Sequence, residues 1–181
     1  YIYKQINENP TQILSGSNFR KHLREINQSW FSAGLETLTQ NEKLFSQTGY
    51  TDEFAQMAMD RKAIPANYAY VRDVITHLNN EHIWNDPNYW KNRPNHIVSQ
   101  MKEKIEEVIR DAFEKHRKVA FTDIWQALEQ PPFGLFTCQG AVFLLGFLLK
   151  EYADNSYYKN DGANTVPLNY TDLSSLIFAV I

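Results

Sequence analysis

Between Cys138 and Ala153 the chain offers a helix with almost no polar side. Ala141, Val142, Phe143, Leu144, Leu145, Phe147, Leu148, Leu149 and Tyr152 fall all round it. A helix of that kind has to be covered over most of its circumference. The apolar run from Ala141 to Leu149 is far shorter than the roughly 18–20 residues a bilayer crossing needs. It is therefore expected to be a core or interface helix, with no membrane involved.

What flanks this helix narrows the fold. Ile97, Met101, Ile105, Val108, Ile109, Ala112 and Phe113 recur at helical spacing. Lys102–Glu106, Glu106–Arg110 and Asp111–Lys115 are spaced to pair on the exposed side. Lys115-His-Arg-Lys118 closes that helix, where positive charge suits the dipole. Val119-Ala-Phe121 reads as a very short strand, and Thr122-Asp123 as the cap of a helix buried through Ile124, Trp125 and Leu128. Pro131-Pro132 must end it, because proline cannot donate the helical hydrogen bond. Thr137 is expected to cap the apolar helix. Tyr157 to Gly162 and Thr165 to Leu168 then frame a hairpin turning at Asp161-Gly162, with Pro167 confining its strand to an edge. Thr171-Asp172 opens a last helix with Leu173, Leu176 and Ile177.

Helix, short strand, helix, helix and two-stranded wing is the winged-helix order. The expected fold is mainly α, with a helical N-terminal part over residues 1–94 and a winged-helix domain with a small β-hairpin wing over 95–181. In the N-terminal part, Ser15 or Ser17 caps a helix carrying Phe19, Leu23, Ile26, Trp30, Leu35 and Leu38, with Gly34 as an interruption. Thr51-Asp52 caps a second, with Phe54, Met57 and Ala58, ended by Pro65. Asn67 caps a third, with Tyr68, Val71, Val74, Ile75 and Leu78 as its stripe. His82 to Pro94 has two prolines and no period, and its aromatics suit a connector that packs down.

Four segments also carry a resemblance: Phe121-Thr-Asp-Ile-Trp-Gln-Ala-Leu, Pro131-Pro-Phe-Gly-Leu, Phe147-Leu-Leu-Lys-Glu-Tyr-Ala153 and Val166-Pro-Leu. Together they are similar to the winged-helix regions of large multidomain bacterial P-loop ATPases of BREX-type phage-defence systems. The resemblance covers the C-terminal half only, and it implies a winged helix inside a larger protein. It brings no catalytic residue across, since no Gly-rich loop ending in Lys-Ser or Lys-Thr occurs here.

Charge and cysteine usage limit the functions. The net charge is −3 over 181 residues, whereas a dedicated nucleic-acid binder is usually strongly basic. Cys138 is the only cysteine, which excludes an internal disulfide and fits a cytoplasmic location. The chain lacks a starting Met and ends on Phe178-Ala-Val-Ile181, so a fragment of a longer protein is expected.

No catalytic set can be assembled. His77 and His82 lack the four-residue spacing and third ligand of a helical zinc site. Cys138 has no base partner in the sequence and reads as a small buried hydrophobe. No metal and no cofactor are expected. The apolar helix offers only Gln139 and Lys150 to a DNA groove, where a recognition helix needs several polar side chains. The wing residues Tyr157, Tyr158, Lys159 and Asn160, with Lys115, Arg117 and Lys118, remain as the candidate nucleic-acid contacts. The favoured expectation is a non-catalytic interaction or domain-packing module whose partners are other domains of its parent or another protein. DNA binding through the wing is the second reading.

Overall fold

The computed structural model describes residues 42–116, 118–161 and 163–181. The helix expected between Ser15 and Leu38 lies outside the described residues. The described chain is mainly helical, with one small two-stranded antiparallel sheet near its C-terminus. Chain contacts divide the described residues into two compact units, one running from Tyr70 to Leu135, the other made of Lys43–Ala69 with Phe136–Ile181.

The first unit contains most of α2 (Ala69–Asn80), α3 (Tyr89–Asn92), α4 (Ile97–His116) and α5 (Phe121–Glu129). Val71, Val74 and Leu78 form the buried face of α2. The helix ends at a left-handed residue, His82 (φ 56°). The Ile83 N–H reaches back to the Leu78 carbonyl at 2.8 Å and the His82 N–H to Asn79 at 3.0 Å, the paired bonds of a Schellman ending. That ending turns Ile83 inward, where it is fully buried. The connector His82–Pro94 lies inside this unit and packs down through Ile83, Trp84 and Tyr89. Asp86 organises it, accepting from the Asn88 N–H and the Asn92 amide at 2.8 Å each. Those bonds, the one from Asn92 first, hold the Asp86 carboxyl below its ordinary range.

Helix α4 buries Val98, Met101 and Ile105, while Phe113, expected on the stripe, is 47% exposed. Lys102 corrects the sequence reading more sharply. Its spacing predicts the exposed side, yet its side chain is 1% exposed and its ammonium meets Glu106 at 2.6 Å. Residues 98, 101, 102 and 105 share one face at helical spacing, so Lys102 is carried inward with its apolar neighbours. The expected strand at Val119–Phe121 is absent: residues 118–120 have no regular structure and Phe121 already begins α5. Ala120, not Thr122 or Asp123, holds the cap position. Pro131-Pro132 does stop α5, which ends at Glu129.

The second unit contains α1 (Glu53–Ala58), α6 (Gln139–Leu149), β1 (Asp154–Asp161), β2 (Asn164–Asn169) and α7 (Tyr170–Val180). All eleven residues of α6 are buried, as its composition demands. It lies against α1 so closely that a Cβ built on Gly146 would stand 2.5 Å from the Ala55 Cα. Cys138 occupies the cap position. Thr137, expected there, instead donates from Oγ1 to the Ile181 carbonyl at 2.8 Å. A short 3-10 turn, Lys150–Ala153, links α6 to β1. The hairpin does not turn at Asp161-Gly162, because Asp161 is itself in β1 and pairs with Asn164. The start of α7 is capped by Asn169, whose side chain accepts from the Thr171 and Asp172 N–H groups at 2.9 and 3.0 Å.

Candidate interaction surface

The hairpin sets out its residues by strand alternation, since neighbours along a strand face opposite ways and opposed residues share a face. Tyr158 opposes Pro167, Lys159 opposes Val166 and Asn160 opposes Thr165. One face therefore carries Tyr158, Asn160, Thr165 and Pro167. The other carries Tyr157, Lys159, Val166 and Leu168.

The second face is turned toward its own unit. Leu168 is buried. Tyr157 meets Tyr152 edge-on, with ring centroids 4.8 Å apart. The Lys159 ammonium donates to Asp172 of α7 at 2.7 Å, with both side chains half-buried. The first face has no such anchoring. Tyr158 is 63% exposed, and Asn160, Thr165 and Pro167 are exposed beside it. None of these four side chains bears a formal charge.

Of the residues singled out in the sequence, the hairpin brings together Tyr157, Tyr158, Lys159 and Asn160, but on two faces with different neighbours. Lys115 and Lys118 are exposed and belong to the other unit. Arg117 lies outside the described residues. Sequence reasoning missed Asp172, which engages the wing's lysine, and Thr165 and Pro167, which complete the exposed face. An Asp161-Gly162 turn would have set Tyr158 opposite Thr165. The partner assignment therefore waited on the register, although alternation alone could have separated Tyr158 from Lys159.

The other exposed rings of this unit have company. Phe178 lies 5.7 Å from the Tyr50 ring, and the Arg61 guanidinium stands 5.7 Å over Tyr170. The two polar positions that α6 could have offered a groove are also withdrawn. Gln139 is buried, and Lys150 lies with its ammonium 4.5 Å over the Phe147 ring. Burial pulls the Lys150 pKa down, against the opposing charges of Asp60 and Glu151.

A concavity of about 690 Å³ lies within the first unit, lined by the charged side of α4, by Trp90 and by the Pro131-Pro132-Phe133 corner. Its charges are largely matched in place. Glu106 meets buried Lys102, and Glu107 meets Lys104 at 2.8 Å, which holds the Glu107 carboxyl below its ordinary range.

Burial pushes the Cys138 thiol up to about 11, so it stays protonated at neutral pH and lacks the thiolate a nucleophile needs. His82 supplies the left-handed backbone that ends α2, with its side chain exposed. Among the described residues, no group of three or more His, Cys, Asp or Glu side chains is placed to hold a metal ion. No helix among them is long and apolar enough to cross a membrane. Comparison with protein-family models, curated proteins and solved structures finds no match.

Proposed function

We propose that this chain is a non-catalytic interaction module, docking a protein partner or a neighbouring domain of a longer parent through the outward face of its hairpin. The observation that carries the reading is the exposed, charge-free surface of Tyr158, Asn160, Thr165 and Pro167. Interface centres are depleted in charge and enriched in tyrosine relative to the remaining surface. Treating residues 95–181 as a winged helix belongs to the same proposal, supported by the succession of α4, α5, α6 and hairpin. In this reading the wing serves protein contact, and the helix that would read DNA serves the core.

DNA binding is the second reading, favoured by the exposed tyrosines, which can stack on bases. Against it, the wing's lysine is already engaged by Asp172, and phosphate contact depends on available cations.

A photo-crosslinking residue at position 158 in the full-length parent tests the first reading. Crosslinks to a protein partner or to another domain are expected. They should weaken at least about fivefold when Pro167→Ser and Thr165→Lys alter the face around the probe, because losing a central contact costs above ~1 kcal/mol. Titration with duplex and single-stranded DNA across salt should show no salt-dependent binding. Salt-dependent binding that Tyr158→Ser abolishes would favour DNA and displace this proposal.

A further inference from the structure

We propose that the concavity along α4 binds a short polyproline-II segment of a partner protein, one carrying a basic residue and, three residues along, an acidic residue. The site lies in the first unit, so its test is independent of the hairpin reading.

The concavity has a volume of about 690 Å³ and two unlike walls. One is apolar, made by Trp90, Ala127 and the Pro131-Pro132-Phe133 corner. Pro131 and Pro132 are exposed there, Trp90 is half-buried and Phe133 is buried. The other wall is the side of α4 that runs from Gln100 to Arg110.

Most of the charge on that second wall cancels in place. Lys102 meets Glu106 at 2.6 Å and Lys104 meets Glu107 at 2.8 Å. Glu103 and Arg110 are exposed, and among the described residues neither has an ion-pair partner. Arg110 acts on the Glu107 carboxylate more weakly than Lys104 does. Lys91, whose ammonium stands 4.9 Å over the Trp90 ring, does not line the concavity. The wall thus presents one negative and one positive charge, seven residues apart. Seven residues make about two turns, which sets both charges on one side of α4, about 10.5 Å apart along its axis.

That interval and the apolar wall together select the occupant. A polyproline-II chain has three residues per turn and rises about 3.1 Å per residue. Its residues i and i+3 therefore project the same way about 9.3 Å apart, within reach of both charges for long side chains. A β-strand turns residues i and i+3 to opposite faces, and its same-side residues fall about 6.6 or 13 Å apart. Polyproline-II segments dock in aromatic-lined grooves, where their preformed backbone keeps the ordering cost low. A segment of one charge sign would match one end of the wall and be repelled at the other.

The test titrates isotope-labelled full chain with acetyl-Pro-Arg-Pro-Pro-Glu-Pro-amide and follows the indole N–H of Trp90. That signal should shift saturably at peptide concentrations up to about 1 mM. A peptide of the same composition with its charges two residues apart, acetyl-Pro-Arg-Pro-Glu-Pro-Pro-amide, should bind at least about threefold more weakly, having lost one of the two charge contacts. Glu103→Gln should weaken the first peptide about two- to fivefold. Glu103→Arg, at an exposed position, should leave Tm unchanged and weaken the first peptide about fivefold or more. The same variant should gain binding of acetyl-Pro-Glu-Pro-Pro-Glu-Pro-amide, which the unsubstituted chain should not bind. Absence of a saturable shift overturns the inference, as does equal binding of the two spacings or binding indifferent to Glu103→Arg. Crosslinks from position 158 without a saturable shift would leave the hairpin reading standing and remove this site alone.

Discussion

Replacing Gly146 by alanine tests the packing of the second unit, because two effects of opposite sign compete there. In an unconstrained helix interior, Gly→Ala stabilises by about 1 kcal/mol, since glycine has more backbone freedom to lose. At Gly146 the added Cβ would lie 2.5 Å from the Ala55 Cα, 2.7 Å from its carbonyl oxygen and 2.9 Å from its Cβ. Carbon atoms in contact sit about 3.5–4.0 Å apart, so α1 and α6 must separate by about 1 Å. The two nearest obstructing atoms are backbone, which cannot rotate aside. Overpacking costs about 1–3 kcal/mol, and the upper end applies because parting the helices loosens fully buried Phe54 and Ala58.

The expected net loss is about 2 kcal/mol, a fall of about 4–8 °C in Tm for a chain of this size. Thermal unfolding followed by far-UV circular dichroism measures it. Ala55→Gly supplies the control, since it removes only the 2.9 Å contact and leaves the 2.5 and 2.7 Å contacts. The double variant should therefore remain less stable than the parent. A Tm for Gly146→Ala equal to or above the parent's would refute the close approach of α1 and α6.

Three further outcomes follow from particular residues. His82→Gly relieves a left-handed φ of 56° and should stabilise by about 0.5–1 kcal/mol, the relief exceeding glycine's unfolded-state entropy; a loss in chemical-denaturation midpoint would contradict the Schellman ending. Asn169→Ala removes acceptors for two N–H groups and should cost about 1 kcal/mol, read from the same denaturation curves. Burial raises the Cys138 pKa from 9.0 to about 11, so its contribution is complete below pH 9 and is lost as pH rises through about 11, the unfolded thiol ionising first. Stability measured between those limits should fall less steeply in Cys138→Ala, and an identical slope would show that the thiol is not buried.

The sequence discloses elements better than their ends, for physical reasons visible at Asp60 and His82. Glycine marks a helix end because it takes left-handed φ without strain, and neither ending uses one. Asp60 (φ 56°) closes α1, with the Arg61 N–H bonded to Gln56 at 2.9 Å and the Asp60 N–H to Met57 at 3.2 Å. Pro65, the visible stop signal, stands several residues too late. Lys102 eluded the pattern differently. Periodicity sorts residues by polarity, but a lysine stem is apolar, and Glu106 one turn on meets its ammonium.

The same distinction bears on the hairpin. Composition located Tyr157 to Asn160 as a surface feature, because a Tyr-rich segment before a turn is conspicuous. Composition treated those four residues as one patch, tyrosines to stack and a lysine to meet phosphate. Pairing divides them, giving Tyr157 and Lys159 to the protein's own Tyr152 and Asp172 and leaving Tyr158 and Asn160 outside. The division follows from strand alternation, and the missing N–H of Pro167, opposite Tyr158, decides only which pairs of the ladder exchange backbone bonds. A residue chosen for what it cannot donate thus sets which backbone groups of the opposite strand remain to be offered.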